Sequence, residues 1–303
     1  MAVVTRFAPS PTGPLHLGHA YSAILAHDMA RAEGGQFLLR IEDIDRQRSK
    51  PEWEAQLSDD LTWLGVYWDG EPMRQSDRLA EYQRALDRLW SDDLLYPCTC
   101  TRRDIDLALG APQEGVPIAE GPDGPVYPGT CRGRQCGGLP CSMVPRPTDK
   151  HLRLDMRQAM GICEHSVLHP GAGSWGLWFT ETGASRRGAI FTDRESYVTQ
   201  IGDIVLARKD FGTSYHLSVV LDDAAQGITH VLRGEDLFEA TRIHVLLQKL
   251  QGLPTPVYLH HRLIRDDQGK RLAKRDDARA ISKYRAEGAT PADIRRMVGL
   301  PGA

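Results

Sequence analysis

The chain of 303 residues has no uncharged apolar run approaching the roughly 18–20 residues that a membrane span requires. Its opening, MAVVTRFAPSPTG, lacks a hydrophobic stretch followed by a small-residue cleavage site, so no secretory signal is expected. Charge of one sign is not in excess either. Lys and Arg number 37 against 40 Asp and Glu, a net −3, so bulk charge announces no polyanionic partner. Internal repeats are absent. Hydrophobic residues at 41% and charged residues at 25% are globular values, which excludes a disordered, fibrous or disulfide-stapled chain. These absences predict a cytoplasmic protein with no membrane partner, a monomer of one large or two modest domains.

What is present is unevenly placed. From residue 261 onward 11 basic residues face 6 acidic ones, a local +5, which leaves −8 on the remainder. A basic end on an acidic body suits phosphate contact at one place, and equally a solvated helix. Cys98, Cys100, Cys131, Cys136 and Cys141 fall within 44 residues, and Cys163 stands apart. Without a secretion signal, disulfides are not expected and a metal site is the first reading.

Along the chain, residues 2–9 read as a strand and 17–33 as a helix ended by Gly34-Gly35, with a second strand over Phe37–Ile41. Strand, glycine-bearing turn, helix and strand make a βαβ unit, hence an α/β fold with a parallel sheet and a nucleotide-type crevice at its strand ends. Helices are predicted from Pro51 to Leu64, with proline in the first turn, and from Asp77 to Leu95. Between Gly110 and Pro147, 16 of 38 residues are Gly or Pro, too many for regular elements. Beyond it, SVLH, GLWF and AIF read as short strands. So do YVTQIGDIVLARKD, YHLSVVLDD and ITHVL. A helix is predicted over Phe238–Gln251 and a basic helix over Asp276–Val298. The expected division is a core in two halves, 1–97 and 196–260, split by an inserted subdomain at 98–195 and followed by a basic end at 261–303.

The strongest motif is RFAPSPTGPLHLGH, residues 6–19. His16 and His19 flank Gly18 where a turn enters a helix, and a helix start offers free N–H groups and a positive dipole end to phosphate. The histidines are three residues apart, on one helical face, and Gly18 lets a phosphate or base approach the backbone. The string resembles the HIGH signature of class I aminoacyl-tRNA synthetases in its glutamyl and glutaminyl form. That resemblance implies a Rossmann-type catalytic core and a lysine loop near the C-terminus. Residues 271–275, RLAKR, match the family's KMSKS loop, with Lys274 at the ATP-phosphate position. Ala273 departs from the usual serine and Arg271 from lysine.

The resemblance further implies a glutamate pocket. Glu42 in RIEDID faces the substrate amino group. Arg6 takes the side-chain carboxylate, for which a guanidinium fork is chemically apt, beside Phe7, Ala8, Pro9 and Ser10. Tyr215 and Arg233 lie around the amino acid. Asp43 and Asp45 read as turn caps ahead of the helix at Pro51.

Cys98, Cys100 and Cys131 offer three thiolates for one structural Zn²⁺. General zinc chemistry makes Cys136 or Cys141 the fourth ligand; reduced cysteines without metal are the alternative. The spacing C-x-C…Y-x-x-x-C resembles instead a branch of the glutamyl enzymes in which a tyrosine, here Tyr127, completes the site. Fewer than 30 residues follow Lys274, so no anticodon-binding domain is expected, as in that branch. The implied activity is ligation: ATP with Mg²⁺ activates L-glutamate, and the glutamyl group passes to queuosine in the anticodon of tRNA(Asp). A short glutamyl-tRNA synthetase charging the 3′ end of tRNA(Glu), and a non-catalytic zinc-bearing tRNA-binding module, are the rival readings.

Overall fold

A computed structural model describes residues 2–110, 119–133, 136, 139–163, 175–265 and 279–301. Its first unit is β1 (Val4–Phe7), α1 (Leu17–Ala32) and β2 (Gln36–Ile41). The strands pair in parallel, with Arg6 opposite Leu38, and α1 packs Ala20, Ala23, Ile24 and Ala30 against them. Helix α2 (Pro51–Trp63) starts on the expected proline and leads to β3 (Met73–Arg74), parallel to β2. A single 3₁₀ turn, Gln75–Arg78, then opens α3 (Leu79–Ser91).

From here the chain leaves the parallel sheet. Strand β4 (Leu95–Cys98) runs into α4 (Arg102–Leu109), whose Thr101 cap and Asp104 form a capping box. A short hairpin, β5 (Glu120–Gly121) and β6 (Gly124–Pro125), follows, then β7 (His151–Leu154) and α5 (Met156–Cys163). The return begins with β8 (Gly176–Glu181), antiparallel to β9 (Gly188–Asp193), and α6 (Arg194–Ser196), which unwinds into a π-helical turn over Tyr197–Ile201. Strand β10 (Val205–Ala207) joins β7 and β4 in a separate antiparallel sheet. Helix α7 (Tyr215–Ala225), β11 (His230–Gly234), α8 (Ala240–Leu250), β12 (Val257–His261), α9 (Ile281–Ala286) and α10 (Pro291–Met297) complete the order. Strand β12 is parallel to both β11 and β8, and the Thr229 N–H donates to the Val4 carbonyl at 3.0 Å, so β11 lies beside β1. Residues far apart in sequence are thereby set side by side where the β1–β2–β3 sheet meets the β11–β12–β8–β9 sheet, with the parallel strands β1 and β2 ending on the same side.

Several elements differ from the sequence reading. YHLSVVLDD is the helix α7, not a strand: Ser214 caps it by accepting from the Leu217 N–H, and its residues 216–220, 222 and 223 are all buried. Helix α5 was not foreseen, and YVTQI is helical. The basic end is two helices, broken where Gly288 takes a φ of +89°. The segment SVLH lies outside the described residues. Asp43 does not cap the helix at Pro51; its carboxylate accepts from the Ser76 N–H and hydroxyl at 2.8 and 2.7 Å. The basic end is also less bare than its count suggests, since Arg285 pairs with Asp59 and Arg295 with Asp28. No described helix is long and apolar enough to cross a membrane.

Candidate active site and metal centre

The turn ahead of α1 is built by its own histidines. His16 accepts from the Gly18 N–H at 3.1 Å, His19 accepts from the His16 N–H at 3.2 Å, and the two rings lie 3.8 Å apart. A Cβ on Gly18 would sit 3.0 Å from the His16 ring, a tight approach that would push against the ring forming this cap. The chain flanking the lysine loop meets the same turn. His261 bonds Ser22 at 2.7 Å, the Ile281 N–H donates to the Leu15 carbonyl at 2.8 Å, and Ala280 bridges His16. Lys274, with Arg271 and Ala273, lies outside the described residues.

At the end of β1 the chain passes through Phe7, Ala8, Pro9 and Ser10, and the Glu42 N–H donates to the Pro9 carbonyl at 3.0 Å. This ties the turn to the end of β2. Arg6 does not stand alone. Its guanidinium donates to both oxygens of Asp223 and to the Leu232 carbonyl, and the fully buried Arg40 bridges Asp223 at 2.7 Å and Glu42 at 3.3 Å. Burial would raise the Asp223 carboxyl, but Arg6 and Arg40 hold it below the usual range. Glu42 goes the other way, raised by burial against the pull of Arg40 and Arg6. Tyr215, at the start of α7, keeps part of its side chain at the surface, but desolvation at its hydroxyl raises it first and the charge of Glu42 next, while Arg233, Arg6 and Asp223 also act on it. Arg6, Glu42, Tyr215 and Arg233 thus share one electrostatic environment.

Cys98, Cys100 and Cys131 present sulfurs within 4.8 Å of one another. The Tyr127 oxygen lies 3.6 Å from the first and 3.3 Å from the second. Tetrahedral Zn²⁺ with Zn–S near 2.3 Å separates its sulfurs by roughly 3.8 Å, so these groups fit such an ion. Arg153 donates to Cys98 at 3.3 Å and stacks over the Tyr127 ring at 3.8 Å, a cation beside what would be an anionic ligand set. Burial raises the Cys131 thiol, but hydrogen bonds from Tyr127, the Thr99 backbone and the neighbouring thiols bring it down to about 7. Against the expectation of reduced cysteines, Cys136 and Cys141 form a disulfide with Cα atoms 5.3 Å apart, which removes both as fourth ligand. Cys163 is buried in the core. Between the cysteine group and the pocket lies a cleft of about 570 Å³ lined by Tyr127, Asp123, Tyr215 and His216 among others.

The profile of the tRNA synthetases class I (E and Q), catalytic domain, matches residues 2–112 and 187–303. The chain belongs to this family. It is a ligase-type catalytic core, with the family match interrupted between residues 112 and 187; Cys98 and Cys100 fall inside the match and Cys131 in the gap. A Rhodobacter capsulatus protein named Glutamyl-Q tRNA(Asp) synthetase is 63% identical, over 98% of this chain and 100% of its own length. A protein of the same name from Rhodopirellula baltica is 37% identical over 97% and 83%. Among solved structures, a glutamate tRNA ligase from Elizabethkingia meningosepticum, in complex with its amino acid, superposes with a TM-score of 0.73 at 28% identity, over 98% of this chain and 60% of that one. The chain thus spans about three fifths of that ligase.

Within this class I core, several buried residues of the pocket escaped sequence reasoning. Asp223 and Arg40 sit in quoted motifs but gave no signal of their roles, since their partners lie 183 to 217 residues away in sequence. His216, His244 and His260 are buried around Arg233 and carry no recognisable spacing.

Proposed function

We propose that the protein activates L-glutamate with ATP and Mg²⁺ and transfers the glutamyl group to queuosine in the anticodon of tRNA(Asp). The observation that carries this reading is the 63% identity, over nearly the whole of both chains, to a relative named for that activity. The Tyr127 oxygen between Cys98 and Cys100 supports the same branch. Chemically, a carboxylate oxygen of glutamate attacks the α-phosphorus of ATP, and the bond to the pyrophosphate oxygen breaks. The acceptor hydroxyl then attacks the activated carbonyl and AMP leaves. His16, Gly18 and His19 face the phosphates and Lys274 supplies a cation to them, so catalysis is positioning and charge stabilisation without a protein nucleophile. Arg6 with Phe7, Ala8, Pro9 and Ser10 receives the side-chain carboxylate, and Tyr215 and Arg233 complete the pocket. Glu42, a largely buried carboxylate at the end of β2, receives the ammonium group in a charge-assisted bond. One structural Zn²⁺ on Cys98, Cys100, Tyr127 and Cys131 orders the inserted subdomain, 98–195, between core halves 1–97 and 196–260, with the lysine loop in 261–303. The protein acts as a cytoplasmic monomer.

Labelling with radioactive glutamate tests the acceptor. Label is expected on tRNA(Asp) carrying queuosine and not on the same tRNA without it. Label at the 3′ end of tRNA(Glu), with tRNA(Asp) unlabelled, would replace this reading with the short glutamyl-tRNA synthetase. For the first step, Lys274→Ala should lower glutamate-dependent ATP–pyrophosphate exchange about a hundredfold, the usual scale for one charge-stabilising group. Unchanged exchange in that variant refutes the phosphate role of Lys274.

A further inference from the structure

Arg233 is gripped by two arms, each ending in a carboxylate. On one side its Nε–H donates to His260 Nε2 at 3.1 Å, and the other nitrogen of that ring pairs with Glu181. On the other side Nη1 bonds His244 Nδ1 at 3.0 Å, His244 Nε2 meets His216 Nδ1 at 3.0 Å, and His216 Nε2 meets Asp123 at 2.9 Å. Nη2 goes to Thr241 at 2.7 Å and to the Leu237 carbonyl at 3.3 Å.

The long arm has only one internally consistent proton order. Arginine only donates, so His244 Nδ1 must be an acceptor, and a neutral ring then carries its proton on Nε2. That proton goes to His216 Nδ1, which leaves the His216 proton on Nε2, aimed at Asp123. Burial and the nearby Arg233 charge hold His244 well below its ordinary value, which agrees with a neutral ring. Each imidazole passes one hydrogen bond onward, from a guanidinium at one end to a carboxylate at the other. Four of the five residues named in the two arms beyond Arg233, namely His260, Glu181, His244 and His216, are buried; the Asp123 side chain is about half exposed, at 52%.

Asp123 sits at the tip of the β5–β6 hairpin, four residues before Tyr127, in the inserted region and not in the core. We propose that Asp123, acting through His216 and His244, is a positioning residue for Arg233, so that the hairpin leading into the cysteine cluster sets how tightly the amino-acid pocket holds its substrate. The inference rests on the reading of Arg233 as a glutamate-pocket residue. It gives the inserted region a part in amino-acid binding through a bonded path, independent of any contact with an acceptor.

Asp123→Ala leaves the two imidazoles and the arginine in place but removes the anchor of the series. Because Asp123 is half exposed, folding should survive. In glutamate-dependent ATP–pyrophosphate exchange with the full chain, the KM for glutamate should rise about tenfold, with the KM for ATP and the zinc content unchanged. Asp123→Asn, whose amide oxygen still accepts from His216, should recover part of that loss. His216→Phe cuts the same arm, and the double variant Asp123→Ala/His216→Phe should be no worse than His216→Phe alone, since residues acting as one unit are not additive. If His216→Phe does not fold, Asp123→Ala and Asp123→Asn decide the matter. An unchanged glutamate KM in Asp123→Ala, equal rises for glutamate and ATP, or loss of zinc in that variant would each overturn the relay while the wild type still exchanges. Absence of glutamate-dependent exchange in the wild type would overturn the activation reading and the relay with it.

Discussion

Cys131→Ser is expected to leave the purified protein without its equivalent of zinc. A serine hydroxyl stays protonated where a thiolate would bind, and Cys131 is the thiol whose surroundings bring it down to about 7. Structural zinc sites in small modules carry apparent binding free energies of about 10–16 kcal/mol, much of it expressed as folding. Losing one of four ligands should therefore both release the ion and loosen the Gly/Pro-rich segment. Tyr127→Phe should weaken zinc binding without abolishing it, because the ring still packs under Arg153 while the oxygen is gone. Cys141→Ser should keep the metal, since Cys141 is bonded to Cys136. Metal analysis of the three purified variants checks this, with limited proteolysis across residues 110–147 as a second measure. Zinc lost only from Cys136 or Cys141 variants would overturn the ligand set.

Asp223→Ala should destabilise the fold by about 3–5 kcal/mol, the scale for breaking a buried ion pair by removing one partner. Two guanidiniums depend on this carboxylate: Arg6 at 3.0 Å and the fully buried Arg40 at 2.7 Å. Without it Arg6 and Arg40, on neighbouring strands, are left with Glu42 and the more distant Asp222 as counter-charges. Asp223→Asn should recover part of the loss, keeping the shape and one acceptor. The contribution also depends on pH. Asp223 is held below its unfolded value, so its stabilisation is complete above the ordinary carboxylate range and drains away as pH falls through the lower folded value. Denaturant melts of the wild type and Asp223→Ala at neutral and acid pH should converge toward low pH; a constant gap would refute the assignment. Glutamate-dependent exchange should fall in the variant even at temperatures where it stays folded, because Arg6 loses the partner that fixes its fork.

The readable parts of the sequence were those whose physics is local. The turn from Arg6 to His19 carries its own caps, the βαβ order follows from periodicity broken by glycines, and three cysteines converge from two short stretches. What failed to read was non-local. Helix α7 is buried on nearly every side, so YHLSVVLDD has no polar face to mark a 3.6-residue period, and an apolar run of that length cannot be told from a strand. Its two aspartates are explained only by their partners in the fold. Asp222 takes Gln75, Arg78 and Tyr82, and Asp223 takes Arg6 and Arg40. The histidines around Arg233 have the same origin: they come from α7, α8 and β12, and only the assembled sheet brings them to one point.

The pairing of Leu15 and His16 with Ile281 and Ala280 bears on how the molecule is made. A nascent chain exposes the HLGH turn early, yet the backbone that closes over it lies some 265 residues downstream. At about 5–20 residues per second that is roughly 13–50 s of synthesis. Through that interval the first βαβ unit must persist with this edge of its crevice uncovered. Contacts spanning so much sequence are also the slowest to form. If this turn holds ATP as proposed, a nascent fragment with the whole signature string but without residues 280 and 281 is expected to bind it more weakly than the full chain, since the backbone paired with Leu15 and His16 is then missing.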